Sequence, residues 1–253
     1  MTIAYETRDR VAWATLNRPE ALNALNNVHL TGLLEIVERV AADDDVHVLV
    51  ITGTGRAFSV GGDIKEMAVS DDEQFHVTAN YYQLLTQRLR SLNKPTIAAL
   101  NGLTLGGGLE LACMCDVRVA STSARLGLPD APLGFSPTGG LTFLLQRLIG
   151  LGRSLHMAFD AEPIDAAEAL RIGLVTRVIA DDCFLEQVHQ FAAKIAGWSR
   201  GGMERTKQAF YASSEASFEQ TLDLEARFDL QCFQSQETRQ ALADFVASRQ
   251  QKK

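Results

Sequence analysis

The stretch Asn101-Gly-Leu-Thr-Leu-Gly-Gly-Gly-Leu-Glu-Leu-Ala112 decides how the rest of the chain is interpreted. Three consecutive glycines cost backbone entropy, so their place before an apolar helical segment indicates close backbone approach, a positive φ or exposed N–H groups. Two interpretations remain open from these residues alone. Either the glycines permit tight packing and Glu110 interacts with the helix dipole, or a glycine N–H binds a developing oxyanion and Glu110 acts as acid or base.

A second junction of strand, glycine and helix precedes this stretch. Val46-His-Val-Leu-Val-Ile-Thr52 is a nearly continuous β-branched run, which is typical of a strand buried on both faces. Farther along the chain, the pair Gly61-Gly62 stands immediately before Asp63, a residue suited to cap a helix. The segment 96–100 is another short buried strand, and it leads into the opening stretch. Strands and helices therefore alternate, which predicts an α/β fold.

Hydrophobic periodicity predicts the remaining elements in outline. A strand is expected over 11–16, and helices over 21–40, 81–92 and 141–149. Residues 68–80 are polar and weakly periodic, so we expect a mobile segment or lid beside the second glycine junction. From about residue 199 onward the pattern is helical without strands, which predicts a small helical region that serves as an oligomer surface.

The proline- and glycine-rich segment 125–140 contains a single carboxylate, Asp130. The segment is too apolar for a disordered linker, so it is interpreted as a packed functional loop. Pro129, Ala131 and Pro132 flank Asp130, and burial in such a setting would raise the pKa of its carboxyl group. A surface aspartate in a Pro-Asp turn is the alternative.

Composition limits the classes of partner and site. The chain has 253 residues with 46% hydrophobic composition and a formal net charge of −7, which disfavours a broad surface for nucleic acid or an anionic membrane. No apolar run reaches the roughly 20 residues of a membrane-spanning helix, and the N-terminus lacks a signal-type apolar region, so a cytoplasmic location is predicted. The cysteines form no CxxC pair and have no spaced histidine partner, which indicates neither a metal site nor a disulfide framework: Cys113, Cys115, Cys183 and Cys232.

Several linked segments together resemble the crotonase, or enoyl-CoA hydratase/isomerase, superfamily over almost the full length. They are Leu16-Asn-Arg-Pro-Glu-Ala-Leu-Asn-Ala-Leu25, Arg56-Ala-Phe-Ser-Val-Gly-Gly-Asp-Ile-Lys65, Lys94-Pro-Thr-Ile-Ala-Ala-Leu-Asn-Gly102, Gly106-Gly-Gly-Leu-Glu-Leu-Ala112 with Cys115-Asp116, and Gly173-Leu-Val. The resemblance implies a crotonase-like spiral of ββα turns with a C-terminal helical oligomerisation region. It divides the chain into a core, 1–198, for acyl-CoA binding and catalysis and a trimerisation region, 199–253. Such chains form homotrimers, often paired into homohexamers.

The same resemblance implies which groups carry the chemistry. Two backbone N–H groups, at Gly62 and Gly107, would hold the thioester oxygen as it becomes an enolate. Glu110 and Asp130 would orient a water and exchange protons during its addition across the α,β double bond. Asp130 departs from the family's usual glutamate by one methylene, which shortens the reach of its carboxylate by roughly 1.5 Å and weakens the hydratase assignment because rate is sensitive to such distances. Some isomerases of the family carry an acid where this chain has Thr138.

An acyl-CoA thioester is the implied substrate, with contacts from Ala21, Leu22, Ala24, Ala57, Gly61, Gly62, Asp63, Ile64 and Gly107. Coenzyme A is part of that substrate, and no separate cofactor is predicted, since Gly102 and the glycine triplet do not match the dinucleotide fingerprint G-x-G-x-x-G. The leading hypothesis is an enoyl-CoA hydratase, a lyase. The alternatives are an enoyl-CoA double-bond isomerase and a non-catalytic acyl-CoA-binding protein.

Overall fold

The chain builds two sheets, which it visits alternately, in a computed structural model that describes residues 2–250. In chain order the strands are β1 (Ile3–Arg8), β2 (Val11–Leu16), β3 (Val48–Gly53), β4 (Ala57–Ser59), β5 (Thr96–Leu100), β6 (Leu103–Leu105), β7 (Val117–Ser121), β8 (Arg125–Gly127), β9 (Ile164–Asp165) and β10 (Arg177–Ile179). The larger sheet has the order β1-β2-β3-β5-β7-β10, and the smaller sheet has the order β4-β6-β8-β9. Only the β1–β2 and β8–β9 pairs are antiparallel.

Helices close each turn of this path. They are α1 (Asn27–Ala42), α2 (Ile64–Met67), α3 (Asp72–Ser91), α4 (Gly107–Met114), α5 (Leu141–Ile149), α6 (Leu151–Asp160), α7 (Ala166–Arg171), α8 (Phe184–Ala196), α9 (Arg200–Ser213), α10 (Phe218–Gln234) and α11 (Gln236–Gln250). The pairs β3–β4, β5–β6 and β7–β8 each add one strand to the larger sheet and one to the smaller sheet before the next helix. The predicted α/β spiral of ββα turns is therefore confirmed.

Hydrophobic clusters cover both faces of the larger sheet. Leu49 and Ile51 of β3 belong to the main cluster with α1, α3 and α4, whereas Val48 and Val50 pack with Val188 of α8 in a second cluster. Every residue of β3 is buried. A strand that contacts apolar neighbours on both faces has no polar alternation, which explains the continuous β-branched run in its sequence.

The first predicted helix begins later than its periodicity suggested. Leu22 and Asn23 adopt left-handed backbone conformations, with φ of 53° and 56°, so the helix cannot extend through them. The buried Asn23 side chain donates hydrogen bonds to the carbonyl oxygens of Thr54 and Ala57, at 2.9 and 2.8 Å, which fixes this turn against β4. α1 instead starts after Asn26, whose side chain accepts a hydrogen bond from the His29 N–H.

The segment 68–80, expected to be a mobile segment or lid, is helical from Asp72, where α3 begins, and its mobility stays a prediction. Asp71 and Gln74 form a capping box, in which each side chain accepts a hydrogen bond from the other residue's N–H. The first turns of α3 are largely exposed, so they have few apolar residues and a weak period. By contrast, the bounds of β2, β5 and α5 agree with the predictions.

Helix α9 is fixed to the spiral through a buried lysine. Lys207 is 8% exposed, and its Nζ donates hydrogen bonds to the carbonyl oxygens of Leu89 and Lys94 at 2.9 and 3.0 Å. The same Nζ lies 2.9 Å from Oδ2 of Asp116. A buried ammonium group needs such complete pairing, because desolvation penalises its charge. The first C-terminal helix is thus joined to the core by polar contacts.

The C-terminal region is helical, as predicted. The proposed division between 1–198 and 199–253 stays a prediction, and residues 251–253 of that region lie outside the described residues. Within residues 2–250, no helix has both the length and the hydropathy that crossing a lipid bilayer requires.

Candidate active site

The smaller sheet brings the predicted site residues together. Its strands β4, β6 and β8 are adjacent and parallel, so their carboxyl ends lie at one edge. Gly62 follows β4, Gly107 follows β6, and Asp130 follows β8. The Gly106 N–H donates to the Gly127 carbonyl at 3.0 Å, which joins the carboxyl end of β6 to that of β8. Residues about 70 positions apart in the chain thus become neighbours through strand pairing.

The two glycine junctions are in direct contact. A Cβ on Gly61, whose φ is +92°, would lie 2.7 Å from the Gly107 nitrogen. Around Gly62, the Leu25 N–H donates to the Gly61 carbonyl at 2.7 Å and the Asp63 N–H donates to the Leu25 carbonyl at 3.1 Å. This parallel bridge does not use the Gly62 N–H. Within residues 2–250, neither the Gly62 N–H nor the Gly107 N–H donates to another protein atom.

Close approach explains why glycines open α4. A Cβ on Gly108 would lie 2.2 Å from the Ser59 carbonyl oxygen, and a Cβ on Gly107 would lie 2.5 Å from Oη of Tyr82. Both contacts are far shorter than a carbon atom allows. Tight packing and an N–H group of Gly107 without an acceptor among the described residues therefore occur together at this helix start.

Glu110 is buried on the first turn of α4. It is 3% exposed, and its Oε1 accepts a hydrogen bond of 2.6 Å from the Thr138 N–H. Burial raises the pKa of the Glu110 carboxyl to about 7; the Thr138 N–H opposes this rise and the negative charge of Asp130 adds to it. A carboxyl group with such a pKa changes protonation near neutral pH, as a proton-transfer group must.

Asp130 lies beside the first glycine of the triplet. A Cβ on Gly106 would lie 3.6 Å from Oδ1 of Asp130 and 3.8 Å from its Oδ2. Oδ2 is buried and has no hydrogen-bond partner among the described residues. Burial raises the pKa of the Asp130 carboxyl, as its apolar sequence neighbours suggested. Asp130 does lie in a turn, as the alternative had it, and its side chain is partly buried.

A cavity of about 400 Å³ opens in front of these groups. Its acidic lining residues are Asp63, Glu66, Glu110 and Asp130, and no lysine, arginine or histidine of the described residues is among its lining. The rings of Phe75 and Phe135 stack across the rim with centroids 5.8 Å apart. The remaining lining side chains are mainly apolar and include Leu25, Val60, Ile64, Met67, Leu133 and Pro137.

The predicted substrate contacts fall into two groups. Gly62, Asp63, Ile64 and Gly107 line the cavity, and Asp63 caps α2 by accepting from the N–H groups of the next helix turn. Asp63 also forms a 2.6 Å ion pair with Arg18. The other predicted contacts are outside the cavity lining, although they belong to the segments that support it: Ala21, Leu22, Ala24, Ala57 and Gly61.

Several cavity groups have no signal of their role in the sequence. Tyr82 projects from α3 into the lining, and Thr138 contributes a backbone N–H, which no side-chain pattern reveals. The segment 70–79 does border the second glycine junction, as expected, but as helix. Among residues 2–250 no group of three or more histidine, cysteine, aspartate or glutamate side chains is placed to hold a metal ion. The absence of a cofactor stays a prediction.

Comparisons with known proteins agree over nearly the whole chain. The family model described as "Enoyl-CoA hydratase/isomerase" matches residues 6–252. The chain is 36% identical to the short-chain-enoyl-CoA hydratase of Clostridium acetobutylicum, covering 98% of this chain and 95% of that protein. It is 39% identical to the 2,3-dehydroadipyl-CoA hydratase of Escherichia coli, covering 96% and 94%. The crystal structure of an enoyl-CoA hydratase from Bacillus anthracis superposes with a TM-score of 0.95 at 30% identity, covering 98% and 97% of the chains.

Proposed function

The chain belongs to the enoyl-CoA hydratase/isomerase family, and we propose that it hydrates the α,β double bond of an acyl-CoA thioester through an enolate intermediate. One observation carries the assignment: two backbone N–H groups without an acceptor among residues 2–250, those of Gly62 and Gly107, and two carboxyl groups, those of Glu110 and Asp130, meet around one cavity. The hydratases among the similar proteins support the same reaction. The activity is that of a lyase.

The N–H groups of Gly62 and Gly107 bind the thioester oxygen. That oxygen gains negative charge when water adds to the β-carbon, and donors already fixed by β4 and α4 stabilise the charge without reorganising. The start of α4 adds the positive end of the helix dipole. Loss of one such donor typically costs about 3–4 kcal/mol of transition-state stabilisation.

Glu110 and Asp130 act on the water. Its two hydrogens are donated to the two carboxylates, which places its oxygen against the β-carbon. Ionised Glu110 takes a proton as the oxygen–carbon bond forms, and then returns that proton to the α-carbon of the enolate, so that the enzyme ends in its starting protonation state. Asp130 holds the water through its carboxylate, and its buried Oδ2 has no protein partner among the described residues. Thr138 fixes the Glu110 carboxylate through Oε1 and leaves its second oxygen for the water.

Incubation of the purified protein with 2-enoyl-CoA and 3-enoyl-CoA of equal length in ¹⁸O-labelled water tests the assignment. We expect loss of the conjugated enoyl absorbance and one labelled hydroxyl at the β-carbon from the 2-enoyl substrate. Conversion of the 3-enoyl substrate to the conjugated form without label would favour the isomerase alternative, which the shorter Asp130 side chain keeps open. Binding of both thioesters without turnover would favour the non-catalytic alternative.

The charge of the cavity predicts selectivity against an acyl chain that ends in a carboxylate. Such a group would lose hydration beside Glu66, which has no ion pair among the described residues, whereas Asp63 is already paired with Arg18. We expect kcat/KM for 2-hexenoyl-CoA to exceed that for 2,3-dehydroadipyl-CoA, which has the same number of acyl carbons, by about 100-fold or more. Glu66→Lys should narrow the ratio, since it adds a cation. Equal kcat/KM values for the two thioesters in the wild-type protein would contradict this prediction.

The C-terminal helices support a homotrimer or homohexamer. Large apolar side chains on α9, α10 and α11 are 49–76% exposed in the single chain, an extent typical of an interaction surface: Phe210, Phe218, Leu222, Leu230, Phe233, Leu242 and Phe245. Light scattering after size exclusion should give three or six times the chain mass. A monomeric mass at micromolar concentration would contradict the proposal. The cytoplasmic location stays a prediction.

A further inference from the structure

Tyr82 has a buried hydroxyl group at the wall of the cavity that has no hydrogen-bond partner among residues 2–250. The residue lies on α3, is 5% exposed, and lines the same cavity as Glu110 and Asp130. Its Oη is shielded from solvent and makes no hydrogen bond to any described residue. A buried hydroxyl group without a partner is destabilising, so its retention at this position indicates a role that the free protein does not fulfil.

Contact with α4 fixes where the hydroxyl group lies. A Cβ on Gly107 would be 2.5 Å from Oη and 3.0 Å from Cζ of Tyr82, so the phenol occupies space that only glycine leaves. The phenol therefore rests on the residue whose N–H is proposed to bind the thioester oxygen. A Cβ on the neighbouring Gly106 would instead lie nearest to the Asp130 carboxylate. The Tyr82 hydroxyl group therefore lies beside Gly107, and the Asp130 carboxylate lies beside Gly106.

The hydroxyl group remains a donor across the accessible pH range. Burial raises the pKa of Tyr82 well above its usual value, and the negative charges of Glu110 and Asp130 raise it further. A neutral phenol donates one hydrogen bond and cannot serve as a base at neutral pH. Of the polar groups at the reacting end, the thioester oxygen gains the most negative charge and therefore benefits most from a neutral donor.

We propose that the Tyr82 hydroxyl group is a third donor to the thioester oxygen, beside the N–H groups of Gly62 and Gly107. This role rests on the proposed function, since it concerns the same enolate. Because the oxygen carries more charge in the transition state than in the bound substrate, the hydrogen bond strengthens during the reaction. Tyr82 therefore contributes to kcat more than to KM.

Tyr82→Phe removes only the hydroxyl group and tests the role directly. We expect kcat for 2-enoyl-CoA hydration to fall roughly 10- to 100-fold, less than the loss of a principal oxyanion donor, with KM changed less than threefold. The melting temperature should stay equal or rise, because an unpartnered buried hydroxyl group is removed. Tyr81→Phe is the matched control, since Tyr81 is the adjacent residue of α3 and lies outside the cavity lining. It should leave kcat unchanged.

Binding of a 3-oxoacyl-CoA provides a second readout that needs no turnover. Its thioester oxygen shares the charge of the enolate form, so Tyr82→Phe should weaken binding and reduce the enolate absorbance of the complex, and Tyr81→Phe should do neither. A Tyr82→Phe enzyme with kcat within twofold of wild type, or with unchanged enolate absorbance, would overturn the role of Tyr82 while leaving the hydratase assignment intact. A wild-type protein that neither turns over 2-enoyl-CoA nor binds the 3-oxo compound would refute the proposed function and this role with it.

Discussion

Glu110→Gln is expected to lower kcat for hydration by roughly 10²- to 10⁴-fold, the usual contribution of a positioned acid–base group. Glutamine has nearly the same shape, and its Oε1 can still accept the hydrogen bond from the Thr138 N–H, so the loop 131–138 should keep its position. The amide cannot take the proton of water, whereas the N–H groups of Gly62 and Gly107 remain. We therefore expect thioester binding to persist while turnover is lost, measured by steady-state kinetics and by calorimetric binding of the product.

The pH profile of the wild-type enzyme tests the same role without a mutation. Burial raises the pKa of Glu110 to about 7. The ionised form accepts the proton of water, so kcat/KM should fall as pH decreases through about 7 and should reach a plateau above it. A profile that is flat from pH 6 to 8, or one that rises toward acidic pH, would contradict the role of Glu110 as the base.

An exposed glutamate supplies the control for the substitution. Glu38 lies on α1 and pairs with Arg88 at the surface, where its side chain is 59% exposed. Glu38→Gln should leave kcat and the pH profile unchanged. If Glu110→Gln retained more than about a tenth of the wild-type kcat, Glu110 would not be the proton-transfer group that the mechanism requires.

Sequence patterns predicted the elements whose environment is uniform along their length. β3 is buried on both faces and α5 has one apolar stripe, and both leave a clear periodic signal. The strands of the smaller sheet have only two or three residues each, which is too short for alternation to be visible. α1 was predicted to start too early, because a left-handed turn at Leu22 has no sequence signal when leucine occupies it.

The site also contains some residues that can be recognised in the sequence and others that depend on tertiary contacts. Glycine junctions and isolated carboxylates can be recognised in a sequence, and the family resemblance implies roles for Gly62, Gly107, Glu110 and Asp130. Strand pairing brings these residues to one edge. The contribution of Tyr82 depends on helix α3 crossing over a glycine far along the chain, which is a tertiary contact. The roles of all these groups stay predictions until they are tested in solution.

Backbone and side chains have separate tasks in the proposed mechanism. β4 and α4 fix the positions of two N–H groups through main-chain hydrogen bonds and close packing, so these donors stabilise any thioester enolate. The carboxylates decide what happens at the α- and β-carbons. A change of one methylene at position 130 therefore affects the choice between hydration and isomerisation more than it affects formation of the enolate.

Asp130→Asn is expected to lower kcat for hydration by about 100-fold, because the water loses one of its two acceptors and moves by a fraction of an ångström to an ångström. Asparagine keeps the size of the side chain, but one of its two terminal atoms donates instead of accepting. Oδ2 of Asp130 has no hydrogen-bond partner among the described residues, so the substitution should not disrupt the fold. Asp160→Asn, at the exposed end of α6, is a matched control that should leave kcat unchanged.

The same substitution should displace the pH profile. The negative charge of Asp130 contributes to the raised pKa of Glu110, after the larger effect of burial. Asparagine removes that charge, so ionisation of Glu110 becomes easier, its pKa falls, and the acidic limb of kcat/KM moves to lower pH. If Asp130→Asn lowers kcat but leaves the acidic limb of the kcat/KM profile at the same pH, Asp130 lies too far from Glu110 for the two to share one water. A limb that moves together with a 100-fold loss of kcat is the result expected if both carboxylates act on the same molecule of water.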